Sequence, residues 1–368
     1  MNISSERDCP LLRFDHIEFY VGNARQAASF YQQQFGFMIT AYRGLETGER
    51  KVTAYVLEQG NIRFVLTSSL SPESPIARAV LKHGDSVAAI AFEVFDLPQI
   101  YHKIRQRGAI AVIPPTEIDS EMGRYCYAAV RGYGDTLIKL IERQHYRGAF
   151  APGFVPQEIL STDWKNQRLP HIDHVVGNVE PGAMDKWVNF FIKVFGFELL
   201  VHFDEKTIAT KFTALRSKVV QNPCGNIKLP INESAPSKRL SQISEYLQYH
   251  QGPGVQHIAL ATDNIIDTVT QLKAGGVQFL RPPLAYYEGL SARVGQIEES
   301  PEQLAKLGIL VDRDADGYLL QIFTQPVQDR PTLFFEIIER HGSTGFGEGN
   351  FKALFEAIEH QQAVRGNL

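Results

Sequence analysis

Cysteine is scarce in this 368-residue chain: Cys9, Cys126 and Cys224 are odd in number and far apart. They lack the short paired spacing of thiolate metal sites, so neither a zinc cluster nor a disulfide framework is expected, and a reducing compartment is the default. Also lacking is any uninterrupted run of about 18 apolar residues, which excludes a membrane-spanning helix by length. The opening MNISSERDCP is polar, without the apolar centre of a secretory signal, so the expected location is cytoplasmic. Nor is there an excess of positive charge: 37 Lys and Arg against 41 Asp and Glu leave a net −4. No basic field draws nucleic acid or anionic lipid, and a small-molecule partner is the expectation.

What the chain does have is apolar content, 44% of residues, enough for a sizeable core, and a length that suits two domains. It also repeats itself. FDHIEFYVGN (14–23), followed by Phe35-Gly36-Phe37, recurs as IDHVVGN (172–178), followed by Phe195-Gly196-Phe197. VAAIAF (87–92) matches VQHIAL (255–260), and TLIKLIER (136–143) matches TLFFEIIER (332–340). His174 lies 158 residues after His16, His257 lies 168 after Ala89, and Thr332 lies 196 after Thr136, so insertions accumulate in the second copy.

Between the copies, residues 146–168 are rich in Gly, Pro and polar residues and have no hydrophobic period, which reads as a linker between a first domain (1–145) and a second (169–368). Within each half, alternating segments such as FDHIEFYV read as strands, NARQAASFYQQQF has helical spacing, and KVTAYVLEQGNIRFVLTSS reads as a hairpin turning at Gln59-Gly60-Asn61. The expectation is α+β: four βαβββ modules, paired two by two into open, barrel-like mixed sheets with helices outside.

At two of three corresponding strand positions the second half carries potential metal ligands where the first half has ordinary residues, and the third ligand is shared. His174 matches His16, His257 matches Ala89, and Glu336 matches Lys139 or Leu140, depending on a one-residue gap. Strand alternation points each of the three toward an interior with apolar neighbours, whereas His171 faces the other way. Alone, each is an ordinary buried polar residue. Together, two imidazoles and a carboxylate on three strands make the facial triad of non-heme iron(II) oxygenases, which leaves adjacent coordination positions open.

From Leu169 to Leu368 the segments IDHVVGN, LRSKVV, KLPINE, SQISEY, GVQHIAL, ILVDRDADGYLLQIFTQPVQDRPTLFFEIIER and GFGEGNFKALFEAIE resemble the 4-hydroxyphenylpyruvate dioxygenase family of the vicinal-oxygen-chelate fold group; the first half is similar more loosely. The resemblance implies iron(II) held by His174, His257 and Glu336, and a degenerate first domain that supports assembly. It implies 4-hydroxyphenylpyruvate and dioxygen as substrates and homogentisate as product, through oxidative decarboxylation, ring hydroxylation and side-chain migration. By the same resemblance Ser217, Asn232 and Gln242 hold the phenol or its water, and Gln256 and Gln321 are amides nearer the ion. Phe323, Phe351 and Phe355 clamp the ring, and Pro230 shapes the pocket. By spacing alone, Gln256 faces away from the ligand beside it, and Phe351 and Phe355, one helical turn apart, are core packing. The glycine-dense stretch 342–350 reads as a hinge for a C-terminal lid helix; no Lys-Ser or Lys-Thr pair follows it as in a phosphate loop.

The resemblance leaves 4-hydroxymandelate synthase as the alternative, sharing substrate and ligands; synthases tend to carry a smaller aliphatic residue at the position of Phe323. Extradiol ring-cleaving dioxygenases share the triad but need a base histidine, for which His202 and His250 are candidates. Drug-sequestering proteins of the same modules need no triad. Relatives in the family imply a homodimer or homotetramer.

Overall fold

The computed structural model describes residues 9–158, 168–204, 210 and 212–367; residues 159–167 of the expected linker lie outside the described residues. The first half opens with strands β1 (Leu11–Tyr20), β2 (Met38–Arg43), β3 (Val52–Gln59) and β4 (Ile62–Ser69). It continues with β5 (Ser86–Val94), β6 (Ala111–Ser120), β7 (Gly123–Arg131) and β8 (Leu137–Glu142), and the two-residue β9 (Val155–Pro156) adds to its edge. The second half contributes β10 (Ile172–Val179), β11 (Glu198–Phe203), β12 (Leu215–Gln221), β13 (Lys228–Ser234), β14 (Gly254–Ala261), β15 (Leu310–Arg313), β16 (Tyr318–Phe323) and β17 (Phe334–His341).

The sheets run β6-β7-β8-β5-β1-β4-β3-β2-β9 and β11-β12-β13-β10-β14-β17-β16-β15. In each half the first strand of a module pairs in parallel with its last, and the two modules join antiparallel through their first strands, β1 with β5 and β10 with β14. Each sheet curls so that its central strands present one face to a barrel interior and the other to outer helices. This is the expected α+β architecture of paired βαβββ modules.

Local chemistry explains the repeated motifs. Asn23 caps the helix Ala24–Phe35 by accepting from the Gln26 amide, and Gly36 ends it at φ 75°. Gly196 ends its counterpart at φ 77°. A side chain at either position meets the steric cost of left-handed backbone, which glycine escapes. The Phe residues flanking both glycines are buried, so the Phe-Gly-Phe signature is a helix stop with an apolar anchor on each side. The second-copy insertion forms the short helices Leu290–Val294 and Pro301–Leu307, ahead of β15.

One hydrophobic core runs through both halves. Phe335, on the outer face of β17, sits with ring centroids 5.1, 5.8 and 5.9 Å from Phe35, Tyr31 and Phe64 of the first half. The opening of the expected linker belongs physically to the first sheet, since Phe150 and Ala151 pack on its interior residues and Val155–Pro156 pairs with β2.

One sequence expectation is overturned: Cys9 and Cys224 form a disulfide, with Cα atoms 6.0 Å apart. The start of β1 reaches the turn between β12 and β13, a meeting of the two halves that a separation of 215 residues conceals. Asn222 reinforces it by donating to the Leu11 carbonyl at 3.0 Å. Cys126 is free and buried.

Because Phe335 anchors a core shared by both halves, Phe335→Ala should cost about 3–5 kcal/mol in denaturant unfolding. The exposed Leu199→Ala should stay within about 0.5 kcal/mol. Equal stability of the two variants would remove Phe335 as the anchor.

Candidate metal centre

Three central strands bring the centre together. β10 carries His174, β14 carries His257 and β17 carries Glu336, all buried, and one ligand atom from each lies within 4.8 Å of the others. Glu336 Oε2 is 3.2 Å from His174 Nε2 and 3.4 Å from His257 Nε2. Ligands roughly 2.1 Å from a common ion have about this spacing. The register settles the repeat alignment: His257 pairs with Phe334 as Ala89 pairs with Leu137, which puts Glu336 at the position of Lys139, not Leu140.

Both imidazoles are oriented from behind. Asp173 Oδ1 is 2.7 Å from His174 Nδ1, and a carboxylate accepts only, so the proton sits on Nδ1 and Nε2 presents its lone pair. Arg340 clamps Asp173 with two hydrogen bonds, of 2.7 and 2.9 Å, and donates on to the Gly345 carbonyl at 2.7 Å. Gln256 Oε1 lies 3.0 Å from His257 Nδ1 and fixes that ring in the same tautomer. Such partners set the aim and basicity of a metal-binding histidine.

Aromatic rings close the centre. Phe346 stands edge-on to His174 at 5.2 Å, Phe334 stacks on His257 at 4.8 Å, and Phe323 meets His257 edge-on at 6.0 Å while pairing across the strands with Glu336. Burial penalises a charged His174, but the carboxylates of Glu336 and Asp173 outweigh it and set its pKa above the ordinary value; at His257 burial prevails and the pKa lies below. Burial would raise Glu336, yet the two imidazoles hold it below the usual carboxylate range. Among the described residues no Lys or Arg ion pair reaches Glu336, so this buried carboxylate has the two imidazole Nε2 atoms as its nearest charge partners. The donor set therefore fits a divalent ion.

The other expected residues spread around this centre. Ser217 on β12 and Asn232 on β13 are direct cross-strand neighbours, both buried, and Pro230 lies on β13 opposite Val219. Gln242 opens the helix Gln242–His250 and shares a narrow cleft with Gln256, Thr324 and Phe334. Gln321, buried on β16, accepts from Asn350 Nδ2 at 3.3 Å. Phe351 and Phe355 lie on the C-terminal helix Phe351–Val364, where Phe351 packs edge-on against Phe203 at 5.1 Å. The rings touching the triad histidines are Phe323, Phe334 and Phe346; the last two escaped sequence reasoning, as did Asp173 and Arg340. The shared Asp-His and Glu-Arg pairs of the two copies carried that signal.

The glycine-dense stretch is pinned rather than loose. Asp314 accepts from Ser343 Oγ, the Thr344 amide and the Gly345 amide, and Asp312 accepts from the Gly349 amide. A Cβ at Gly347 would lie 1.9 Å from Gln321 Oε1, so its glycine serves close approach as well as φ 74°. Neither candidate base histidine joins the triad: His202 is exposed, and His250 stacks on His83 at 4.4 Å.

The sequence profile of the Glyoxalase/Bleomycin resistance protein/Dioxygenase superfamily matches residues 13–136 and 171–322. The chain is 46% identical over 367 residues to a protein of Yarrowia lipolytica named 4-hydroxyphenylpyruvate dioxygenase, covering 96% of this chain and 93% of that one. It is also 46% identical over 364 residues to the 4-hydroxyphenylpyruvate dioxygenase of Dictyostelium discoideum, covering 96% and 99%. Among solved structures, a triple mutant of 4-hydroxymandelate synthase from Streptomyces coelicolor superposes with a TM-score of 0.85 at 33% identity, over 96% of this chain and 99% of that one.

Asp173→Ala should weaken divalent-ion binding about 10–100-fold in a metal titration, and Gln256→Leu should act likewise through His257. Unchanged affinity in both would deny the orienting role. A proton competes with the ion for the His174 lone pair, so affinity should fall on acidification, beginning above the ordinary histidine value of 6.5 because this pKa is raised. Affinity flat from pH 8 to about pH 6 would contradict that coupling.

Proposed function

The chain belongs to the 4-hydroxyphenylpyruvate dioxygenase family of the glyoxalase/bleomycin resistance protein/dioxygenase superfamily, and from that premise we propose that it converts 4-hydroxyphenylpyruvate and dioxygen to homogentisate and carbon dioxide at a mononuclear iron(II) centre. The observation that carries the proposal is the buried triad of His174, His257 and Glu336, with no Lys or Arg ion pair to the carboxylate among the described residues, in a chain that matches these dioxygenases over nearly its full length. His174, His257 and Glu336 hold the ion, which when bound supplies a site for the 2-oxo acid and dioxygen and the oxidising chemistry.

The remaining work falls to the chain's own groups. Asp173 and Gln256 keep both imidazole lone pairs aimed inward, so the ligands need no reorganisation when the ion arrives. Phe323, Phe334 and Phe346 place apolar rings against the two imidazoles, where they would exclude water, and the proposed substrate slot is a flat apolar one beside the centre. A planar phenol suits such a slot if few polar groups meet its edge, and Ser217 and Asn232, side by side on β12 and β13, with Gln242, are the proposed partners of that edge. Gln321 and Gln256 are the proposed amides nearer the acid. Phe323, the cross-strand neighbour of Glu336, fills space next to the ligand, which favours attack on the ring over attack on the side chain.

The C-terminal helix is the proposed lid, Phe351 and Phe355 being its contribution to the pocket wall and Pro230 a shaping residue beneath. It is tied down at its far end, where Arg365 donates to Glu245 at 2.7 and 3.2 Å and Thr213 donates to Glu359 at 2.6 Å. The first half is proposed to support assembly, as a homodimer or homotetramer in the cytoplasm; no helix among the described residues is long and apolar enough to cross a membrane.

Iron(II)-loaded protein given 4-hydroxyphenylpyruvate should consume oxygen and yield homogentisate, identified by chromatography and mass. Hydroxymandelate as product would transfer the chain to synthase chemistry, and iron bound with no uptake would sink the substrate assignment. Glu336→Gln should lose ion binding and turnover while keeping its fold; normal iron content and rate would refute the ligand. Removing Asn350 to Leu368 should collapse turnover, and an unimpaired rate would end the lid proposal.

A further inference from the structure

The first half keeps the frame of the metal centre while replacing its ligands. Asp15 Oδ1 lies 2.5 Å from His16 Nδ1, and Arg143 clamps Asp15 at 2.5 and 2.7 Å, as Arg340 clamps Asp173. Arg143 donates on to the Phe150 carbonyl at 2.6 Å, and the Phe150 ring stands edge-on to His16 at 5.2 Å, the separation between Phe346 and His174. The ligand positions of His257 and Glu336 are filled by Ala89 and Lys139. Lys139 reaches Glu18 in an ion pair, and Thr67 Oγ1 donates to the other Glu18 oxygen at 3.2 Å. An ammonium stands near where the second half holds its ion.

This frame opens into a cavity of about 280 Å³, lined by His16, Glu18 and Lys139 on its floor and by Tyr125, Phe150 and Phe154 among its walls. The floor is chemically specific. The Asp15 carboxylate takes the His16 Nδ1 proton, so Nε2 presents a lone pair, and no hydrogen bond reaches Nε2 among the described residues. Burial keeps this imidazole neutral. Lys139 has three N–H groups, and Glu18 is its one hydrogen-bond partner among the described residues. A free acceptor beside a free donor is the complement of a hydroxyl, which accepts from the ammonium and donates to the imidazole. Aromatic walls call for a ring behind that hydroxyl. The space is sufficient, since an apolar cavity of about 150 Å³ holds benzene.

We propose that the barrel of the first half is a second ligand site, taking a small single-ring phenol whose hydroxyl bridges Lys139 and His16 and whose ring lies against Phe150 and Tyr125. The site requires neither the metal nor turnover in the second half. A carboxylate is a poorer fit, because Glu18 already neutralises the ammonium, Glu49 pairs with Arg43, the other cation lining the cavity, and the His16 lone pair repels an anion.

The test uses the full chain in crystals soaked with 4-bromophenol, whose bromine is located by anomalous scattering, with 4-bromoanisole as the partner lacking the hydroxyl proton. The expected result is a bromine peak among Tyr125, Phe150 and Phe154 for the phenol and none there for the ether. Peaks confined to the second half, or equal peaks for both compounds in the first, would overturn the proposal. In solution the paired variant Glu18→Gln with Lys139→Met should weaken 4-bromophenol binding at this site about tenfold, with turnover unchanged. Failure of the native protein to bind 4-bromophenol saturably below about 1 mM would mean binding at crystal concentration only and would equally overturn it.

Discussion

The burial of one carboxylate governs the second half of this molecule. Glu336 lies inside a barrel, where an unpaired negative charge is costly, and its neighbours are two imidazoles that are themselves committed to hold lone pairs inward. A divalent ion compensates that charge while leaving both lone pairs in use, and in its absence a proton on His174 competes for the same place. Everything around the triad serves the same constraint. Asp173 and Arg340 form a buried ion pair that fixes one imidazole, Gln256 fixes the other with a neutral amide, and three phenylalanines keep water from solvating the carboxylate.

The modular sheet makes this precision inexpensive. The first strands of two modules lie antiparallel at the centre and each pairs in parallel with the last strand of its module, so β10, β14 and β17 are consecutive neighbours and their inward residues converge. A one-residue slip would turn every ligand to the outer face, where Phe335 now joins the two halves. Apolar packing on the outer face and metal chemistry on the inner face thus lock the same register. Residues far from the ion, such as Phe35 and Phe64, contribute to where Glu336 points.

How much of this was legible follows the same physics. The repeat exposed the modules, because Phe-Gly-Phe marks a helix stop that both copies need, and it exposed His257 and Glu336 as departures from a shared pattern that retains the histidine of His16 at His174. The alignment of Glu336 stayed open by one residue, since only pairing with Phe334 and His257 distinguishes Lys139 from Leu140. Asp173 and Arg340 were hidden by being common to both copies: a search for differences passes over what the halves share. Strand alternation sets Gln256 on the face opposite His257, yet its amide oxygen lies 3.0 Å from that neighbour's Nδ1, a contact that alternation does not describe. The Cys9–Cys224 bond joins segments 215 residues apart and had no local signal.

The two halves can be read as alternative solutions to one electrostatic problem. Both build a buried Asp-His-Arg frame at the same strand positions, and both gather negative charge inside the barrel, Glu336 in one and Glu18 in the other. The second half leaves the compensating positive charge to a dissociable ion, which keeps coordination positions open and makes the site depend on metal supply and pH. The first half brings its own compensation as Lys139, which needs no ion but can offer only hydrogen bonds. A covalently attached cation cannot change its ligand number or its oxidation state, so the substitution that stabilises the first barrel also removes redox chemistry from it. What survives is the cavity, its aromatic wall and a polar floor with unused valences. A duplicated barrel that gives up its metal in this way is therefore left with the means of recognition and without the means of reaction.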